Sequence, residues 1–343
     1  MRATFERKLP IPKEVKEMYP LTPAMNDLVA CRRSEIERMF AGEDSRLVLI
    51  IGPCSADNEG SVMDYVNRLA RVQEKVYEKI CIIPRIYTNK PRTTGKGYKG
   101  LVHQPDPQGK PDLFQGIIAT RELHMRVISE AGFTCADELL YPQNYRYLDD
   151  ILGYVAVGAR SVENQEHRLV SSGADVPVGM KNPTSGDLSV VMNSVEAAQT
   201  AHDFIYRGWA CYSEGNPFAH VIMRGYNDKS GGVYPNYHYE NIMHVATLYE
   251  EHSNLTNPAV IIDANHSNSR KNPHEQPRII KEVLNYEKYE PKLRSLIKGF
   301  MVESYIEDGN QPIDGGVYGK SITDACLGWD ASERLIYEIA ELV

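Results

Sequence analysis

Eight short apolar runs, rich in β-branched residues, recur along the chain and are separated by longer segments, most of them with helical spacing. Near-continuous apolar runs are typical of parallel strands that are buried on both faces. Strands that alternate with helices predict right-handed βαβ units, and eight of them favour a closed (β/α)8 barrel over an open doubly wound sheet. The runs are LVLIIGPCS (47–55), ICIIPRIY (80–87), FTCADELL (133–140), YVAVGAR (154–160), PVGMKN (177–182), HVIMRG (220–225), AVIIDANH (259–266) and GFMVESY (299–305).

The segments around these runs indicate how the chain is organised. Between the first two runs, Val62, Val66, Leu69, Val72 and Val76 fall on one helical stripe. Residues 1–45 precede the first run and have a helical pattern around Asp27–Phe40, so we expect an N-terminal extension for oligomer contacts or regulation, followed by a catalytic barrel at 46–343. Residues 88–112 form a long loop dense in Gly, Pro and Lys, and loops of that length are usually functional.

The composition excludes several classes of protein. The formal net charge of −8 argues against a general nucleic-acid binder. The chain has no apolar run of about eighteen residues and no apolar core in its N-terminal stretch, so we expect neither a membrane span nor a secretory signal. Its six cysteines include no C-x-x-C pair. We therefore expect a reduced, cytoplasmic protein that does not bind membranes or nucleic acid.

Cationic side chains stand at or just beyond the ends of several runs, where a barrel builds its active site. A single arginine in such a place is usually a solvated surface charge. Several cations gathered near one another are costly without anions and therefore indicate an anionic ligand. An acidic protein with a cationic mouth fits small phosphate-bearing substrates. These cations are Arg85, Lys90, Arg92, Arg160, Lys181 and Arg224.

A second set, Cys54, His266, Glu303 and Asp324, combines a thiol, an imidazole and two carboxyl groups. Such a mixture suits one first-row divalent metal ion, such as Mn, Fe, Co or Zn. Taken alone, a buried cysteine is more often a small core residue, and a histidine is more often structural. The four residues are far apart in sequence, so their spacing carries no metal signature, and only closure of the barrel brings them together.

At these residues the chain resembles 3-deoxy-D-arabino-heptulosonate 7-phosphate (DAHP) synthase, the first enzyme of the shikimate pathway, in its type I, larger microbial form. The matching stretches run through most of the chain in the expected order. They are IIGPCSAD (50–57), NKPRTTGKGYKGL (89–101), GARSVENQEHR (158–168), PVGMKNPTSGD (177–187), HVIMRG (220–225), IIDANHSNSRKNP (261–273), MVESYIEDGNQ (301–311) and YGKSITDACLGW (318–329).

The resemblance implies a metal-dependent, aldol-type transferase that condenses phosphoenolpyruvate with erythrose 4-phosphate, and a homodimer or homotetramer. It implies metal ligation by Cys54, His266, Glu303 and Asp324. It implies that Arg92 and Thr93 hold the phosphate of the sugar, and it places His167 close to the substrates. Phosphoenolpyruvate is expected to contact Arg85, Lys90, Arg160, Lys181 and Arg224. Lys90, Asp324 and His266 form the expected catalytic group, in which Lys90 gives a proton to the developing alkoxide.

The chain also departs from the family pattern. An acid early in the third run is replaced by Cys135, and Glu138 is the nearest alternative. Residues Tyr145–Asp150 lengthen the connection to the fourth run. The segment between Phe204 and Arg224 is shorter than in feedback-inhibited relatives, where it helps to form the pocket for an aromatic amino acid. Catalysis is therefore implied, and feedback inhibition by Phe, Tyr or Trp is not.

Three alternatives stay open on the sequence alone. The first is the sibling synthase that uses arabinose 5-phosphate, against which the KPRTT run at 90–94 counts. The second is a zinc hydrolase, which needs more histidines than the one that ends a run. The third is a metabolite sensor that has lost its chemistry, although all of the expected ligands and Lys90 are present.

Overall fold

A computed structural model describes residues 2–343. The eight predicted runs form eight parallel strands of one sheet, in the order β2-β1-β8-β7-β6-β5-β4-β3. The edge strands meet through a single parallel bridge, Arg85 to Ala136, and Ile86 N donates to Ala136 O at 3.0 Å. The predicted barrel is thus confirmed. Its strands are β1 Leu47–Gly52, β2 Ile80–Pro84, β3 Cys135–Glu138, β4 Leu152–Val157, β5 Val178–Lys181, β6 Ala219–Met223, β7 Val260–Asp263 and β8 Ile297–Glu303.

Helices cover the outside of the barrel and precede it. An α-helix follows every strand except β3, which is followed by the 3-10 helix Pro142–Tyr147. The stripe predicted between the first two strands is buried along α3, which begins after Asn58, whose side chain accepts from Ser61 N. The helices are α1 Pro12–Met18, α2 Pro23–Ala41, α3 Glu59–Val76, α4 Leu113–Arg126, α5 Gln165–Ser172, α6 Leu188–Gln199, α7 Tyr239–Glu251, α8 Gln276–Tyr286, α9 Pro291–Leu296 and α10 Trp329–Leu342.

Two antiparallel hairpins interrupt the barrel pattern. One pairs His202–Tyr206 with Trp209–Ser213 between α6 and β6, and the other pairs Tyr226–Asn227 with Val233–Tyr234 after β6. The first hairpin is largely exposed and has no continuous apolar run, so it lacks the pattern that marks the barrel strands.

The N-terminal helix α2 closes the bottom of the barrel, and it confirms the helix predicted around Asp27–Phe40. Ile36, Met39 and Phe40 belong to the same buried cluster as the side chains inside the barrel. The Phe40 ring lies 4.3 Å from the ring of His220 on β6. The C-terminal end of α2 is therefore part of the core, whereas residues 2–8 are exposed. Among residues 2–343, none of the helices combines the length and apolar character needed to cross a bilayer.

Candidate functional site

Three of the four predicted metal ligands converge at the C-terminal mouth of the barrel. One ligand atom from each of Cys54, Glu303 and Asp324 lies within 4.8 Å of the others. Cys54 follows β1, Glu303 ends β8, and Asp324 lies in the loop before α10. Cys54 and Glu303 are buried. Residues from distant parts of the sequence meet here because parallel strands end at the same rim.

Gly52 allows the first two strands to meet closely just before Cys54. A Cβ atom at this position would lie 2.3 Å from the carbonyl oxygen of Arg85, which is closer than packed atoms can approach. Any larger residue would therefore push β1 away from β2 below the thiol.

The fourth predicted ligand, His266, lies beside this group. Its Nε2 atom is 3.8 Å from Glu303 Oε1, and its Nδ1 atom is 2.8 Å from Asp263 Oδ2. A metal-binding histidine commonly turns its second nitrogen toward a carboxylate, which fixes the ring, and Asp263 is placed to do this. His266 has a φ of 49°, a left-handed conformation that is unusual outside glycine and often found at functional sites. The Nε2 atom of His266 thus faces Glu303, one member of the group, as a fourth ligand would.

Two lysines compensate the charge of this cluster. Lys90 Nζ lies 2.6 Å from Cys54 Sγ and 3.2 Å from Asp324 Oδ2, and Lys271 Nζ lies 2.8 Å from Asp324 Oδ1. Burial opposes ionisation of Asp324, but Lys90 and Lys271 hold the pKa of its carboxyl group well below the usual value. Burial likewise opposes the charge of Lys90, but Cys54, Asp324 and Glu303 raise its pKa, so this lysine stays protonated at neutral pH.

Burial and the Glu303 carboxylate raise the pKa of the Cys54 thiol. A thiol in such surroundings becomes a thiolate when a divalent cation binds it. The donor set of one sulfur atom, two carboxylates and one imidazole therefore fits a first-row metal ion better than Mg²⁺ or Ca²⁺, which prefer oxygen ligands alone.

Arg85 and Glu303 form a buried ion pair beside the cluster. Arg85 Nη2 lies 2.9 Å from Glu303 Oε1, and both side chains are almost fully buried. Arg85 also donates to the carbonyl of Pro53, and its guanidinium lies 3.7 Å from the centroid of the Tyr87 ring. Asn265 Nδ2 donates to the other oxygen of Glu303 at 2.5 Å. These contacts fix Glu303 while a face of Arg85 rests on an aromatic ring.

The predicted cations of the middle strands extend the site across the barrel. Lys181, at the end of β5, lies 3.7 Å from Asp263 Oδ2 and 5.4 Å from the Tyr87 ring. Arg224 follows β6 and is largely buried. Burial and the nearby Arg160 lower the pKa of its guanidinium, and the Asp263 carboxylate opposes this shift. Arg160 itself is exposed in the turn after β4. The mouth therefore gathers these cations around two buried carboxylates, those of Asp263 and Glu303.

Arg92 and Thr93 lie on the long loop predicted at 88–112. Arg92 Nε donates to Tyr98 O at 2.7 Å, and the Thr93 side chain is exposed. Two backbone hydrogen bonds close this loop: Lys90 N donates to Lys99 O at 3.0 Å, and Val102 N donates to Thr88 O at 3.2 Å. The loop thus presents Arg92 from the same segment that carries Lys90.

His167 has a different environment from the other predicted residues. Its Nδ1 atom lies 3.1 Å from Asn164 Oδ1, and its Nε2 atom lies 3.0 Å from Leu140 O. Burial lowers the pKa of its imidazole. Both ring nitrogens thus contact protein atoms, and His167 joins α5 to the segment after β3.

Strand β3 contains an acidic residue that the sequence reasoning did not select. Cys135 packs in the outer core, and Glu138 follows on the inward-facing side together with Ala136. Asp137 is buried and accepts hydrogen bonds from Thr88 N at 2.9 Å and Thr88 Oγ1 at 2.5 Å. Lys271 and Asn265 were also missed as individual contacts, although both lie in the stretch 261–273 that carries the resemblance.

Comparisons with known proteins find related sequences and a related structure. The model of the DAHP synthetase I family matches residues 22–336. The Tyr-sensitive phospho-2-dehydro-3-deoxyheptonate aldolase of Salmonella typhimurium is 34% identical over 348 residues, which cover 99% of this chain and 94% of that protein. The Trp-sensitive enzyme of Escherichia coli O157:H7 is 34% identical over 359 residues, covering 100% and 97%. A solved structure of the corresponding aldolase from Francisella tularensis SCHU S4 superposes with a TM-score of 0.91 at 30% identity, covering 100% of this chain and 98% of that one.

Proposed function

Because this chain belongs to the DAHP synthetase I family, we propose that it catalyses the reaction for which its relatives are named. It condenses phosphoenolpyruvate with erythrose 4-phosphate and water to give 3-deoxy-D-arabino-heptulosonate 7-phosphate and phosphate, the first step of the shikimate pathway. The observation that carries this proposal is the meeting of Cys54, Glu303 and Asp324 with Lys90 at a cation-lined barrel mouth. The sibling reaction with arabinose 5-phosphate is not favoured, since the relatives carry the heptonate name.

Phosphoenolpyruvate has a carboxylate and a phosphate, and the cations of the strand ends suit both groups. We assign Arg85, Lys181, Arg224 and Arg160 to this substrate, together with Lys90. Arginine can hold a carboxylate or phosphate through two parallel hydrogen bonds, whereas lysine acts as a point charge. We assign the phosphate of erythrose 4-phosphate to Arg92 and Thr93 on the loop. Holding the two reacting carbons in attack geometry can contribute about 7–11 kcal/mol to catalysis.

Cys54, His266, Glu303 and Asp324 would hold one divalent ion of the Mn, Fe, Co or Zn group, which would supply Lewis-acid polarisation of the aldehyde. Asp263 holds the His266 ring in position, and Arg85 and Asn265 hold Glu303. Lys90 and Lys271 balance the charge of Asp324. The protein thus fixes the ligand side chains through partners that are themselves buried or paired.

Lys90 is the residue that we assign to proton transfer. In the reaction a carbon–carbon bond forms between the methylene carbon of phosphoenolpyruvate and the aldehyde carbon, and the aldehyde oxygen becomes an alkoxide. The ammonium group of Lys90 donates a proton to this oxygen. Asp324, 3.2 Å from the same ammonium group, assists the later return of a proton to Lys90. Water then adds to the carbon that carried the phosphate, and phosphate leaves with cleavage of its carbon–oxygen bond.

The experiment that tests this function compares two sugar phosphates. Purified protein with Mn²⁺ is supplied with phosphoenolpyruvate and either erythrose 4-phosphate or arabinose 5-phosphate, and loss of phosphoenolpyruvate is followed by its ultraviolet absorbance. We expect turnover with the four-carbon sugar at least about 100-fold faster in kcat/KM. Equal rates, or a preference for arabinose 5-phosphate, contradict the assignment.

We also propose that the enzyme works in the cytoplasm as a homodimer or homotetramer and that residues 1–45 act as an extension of the catalytic barrel. An exposed apolar surface supports the assembly. In the first hairpin, the side chains of Ile205, Trp209 and Tyr212 are 83%, 75% and 67% exposed. The strand pairing places Ile205 opposite Ala210 and Tyr212 opposite Asp203, so Ile205 and Tyr212 share one face of the hairpin, whereas Trp209, opposite Tyr206, lies on the other face. A second copy of the chain is the occupant that we propose for the face of Ile205 and Tyr212.

A further inference from the structure

We infer that Asp137 is a positioning residue that holds the loop of Lys90 and Arg92 in place through Thr88. The inference rests on the proposed function for what the loop binds, but the contacts behind it are independent of that function. Asp137 touches none of the groups assigned to the reaction, so its effect passes through Thr88 to the residues that follow it.

Such a residue is needed because β2 and β3 are the neighbouring strands of the barrel with the fewest paired residues. Strands β2 and β3 share one bridge, Arg85 to Ala136, whereas the other neighbouring strands pair over three residues or more. Immediately beyond this bridge the chain leaves the sheet for the loop at 88–112. On the β1 side, Ala56 N still donates to Tyr87 O at 2.9 Å, but beyond Ile86 no backbone hydrogen bond among residues 2–343 ties the start of the substrate loop to β3.

Asp137 supplies the missing attachment. Its Oδ1 atom accepts from Thr88 N at 2.9 Å and from Glu138 N at 2.7 Å, and its Oδ2 atom accepts from Thr88 Oγ1 at 2.5 Å. Asp137 is 4% exposed and Thr88 is fully buried. A carboxylate with three donors in such surroundings makes strong, directional hydrogen bonds. The side chain thus links β3 to both donors of the residue that begins the loop.

Thr88 in turn controls both arms of the loop. Its carbonyl accepts from Val102 N on the returning arm at 3.2 Å. Gly100 crosses so closely that a Cβ atom there would lie 2.4 Å from Thr88 O, and its φ of 100° suits glycine. Lys90, two residues after Thr88, pairs with Lys99 across the loop. A displacement of Thr88 therefore moves Lys90 relative to Cys54 and moves Arg92 with it.

The direction of the side chain separates this role from catalysis. Ala136 packs inside the barrel, and successive side chains of a strand point to opposite faces, so Asp137 points to the outer layer. There its one ionisable neighbour among the described ion pairs is His124 on α4, whose Nε2 is 3.8 Å away. Asp137 is consequently out of reach of the reacting atoms, and its charge serves the loop.

The test uses two substitutions of Thr88 and one of Asp137. Thr88→Val removes the hydroxyl donor and keeps the size of the side chain, whereas Thr88→Ser keeps the donor. Asp137→Asn places an amide NH₂ against a donor. We expect Thr88→Val and Asp137→Asn to lower kcat/KM for erythrose 4-phosphate by ~10- to 100-fold, because small misplacements of a positioning group are costly. The KM for phosphoenolpyruvate changes less than about threefold, since most of its assigned contacts lie on other strands.

The matched control is Thr120→Val on α4. Thr120 is also buried, and its hydroxyl has no hydrogen-bond partner among residues 2–343. This variant should keep wild-type kinetics, and Thr88→Ser should stay within about threefold of wild type. An equal rise in KM for both substrates, no loss in Thr88→Val, or failure of Thr88→Ser to recover activity would overturn the inference.

Hydrogen exchange separates this inference from the proposed function. Amides of residues 88–102 should exchange faster in Thr88→Val and Asp137→Asn than in wild type and in Thr120→Val. If wild-type protein fails to use erythrose 4-phosphate but the exchange pattern holds, the proposed function is wrong and the positioning role stands. If wild-type protein is active and exchange in the loop is unchanged in both variants, the positioning role is wrong.

Discussion

Cys54 is the residue on which metal binding depends most. It is the only sulfur in the expected ligand set, and its thiol is fully buried between Glu303 and Asp324. Cys54→Ala should reduce bound Mn or Fe to less than about a tenth of wild type, as loss of one ligand from a four-ligand site requires. Metal content after dialysis, measured by mass spectrometry, checks this result.

Cys81→Ala is a suitable control for that measurement. Cys81 is also buried, but it lies among the side chains that fill the barrel interior. This variant should keep the metal and lose about 1–2 kcal/mol of unfolding free energy through the lost packing. Wild-type metal content in Cys54→Ala would refute the ligand assignment.

Asp57, close to Cys54 in sequence, makes a prediction about pH. Burial raises the pKa of its carboxyl group to about 6. The unfolded chain has the lower carboxyl pKa and releases this proton first, so the contribution of Asp57 to stability falls as pH rises from about 4 to about 6. Asp57→Asn keeps an acceptor for Tyr305 and removes the buried charge. We expect the variant to be more stable than wild type by about 1–3 kcal/mol at pH 7.5.

The difference in unfolding free energy should disappear near pH 4, where the wild-type carboxyl group is also neutral. Urea unfolding of both proteins at several pH values measures it. A constant difference from pH 4 to pH 7.5 would show that Asp57 acts through packing and not through its charge.

Helix α2 is the element whose position matters most for the fold. Phe40 is 1% exposed, and its ring packs against His220 and Tyr154 inside the barrel. Phe40→Ala should lower the unfolding free energy by about 3–5 kcal/mol, since it leaves a cavity at the end of the core. Met18→Ala, at an exposed position of α1, should change it by less than about 0.5 kcal/mol.

This pair of variants also tests how the N-terminal extension is used. If Phe40→Ala were as stable as wild type, α2 would be an appendage that contributes little to the core. The expected loss instead means that removal of residues 1–45 would open the bottom of the barrel, whereas removal of the exposed residues 2–8 would be tolerated.

The elements were predictable to different degrees for physical reasons. The barrel strands are buried on both faces, so each produces an apolar run, and α3 produces a stripe. The first hairpin has no such run, because most of its positions are exposed and need not be apolar, so the sequence pattern does not reveal its strands. The 3-10 helix Pro142–Tyr147 stands where the repeated pattern predicts an α-helix, and neither its length nor Pro142 accounts for this, because α9 has the same length and also begins with proline.

For the molecule as a whole, the residues of the candidate active site were easier to predict than the residues that hold them in position. The residues at strand ends could be selected because barrel topology brings them to one rim, and the structure joins Cys54, Glu303, Asp324 and Lys90 there. Asp137 could not be selected, because its value depends on pairing across the seam between β2 and β3, which no local pattern reports. His167 stays a prediction as a substrate contact, since its ring nitrogens contact Asn164 and Leu140.

The exposed face of the first hairpin predicts how copies of the whole molecule assemble. Ile205→Asp and Tyr212→Asp place a charge on the apolar face that we assign to a second copy, and burying an unpaired charge is strongly unfavourable. We expect light scattering after size-exclusion chromatography to show a smaller assembly for each variant at micromolar concentration. Tyr289→Asp is the control, because Tyr289 is 77% exposed in the segment between α8 and α9, away from the hairpin. If all three variants keep the wild-type mass, the copies meet through another surface, and the active site of each barrel, which the described residues build within one chain, is unaffected by the change.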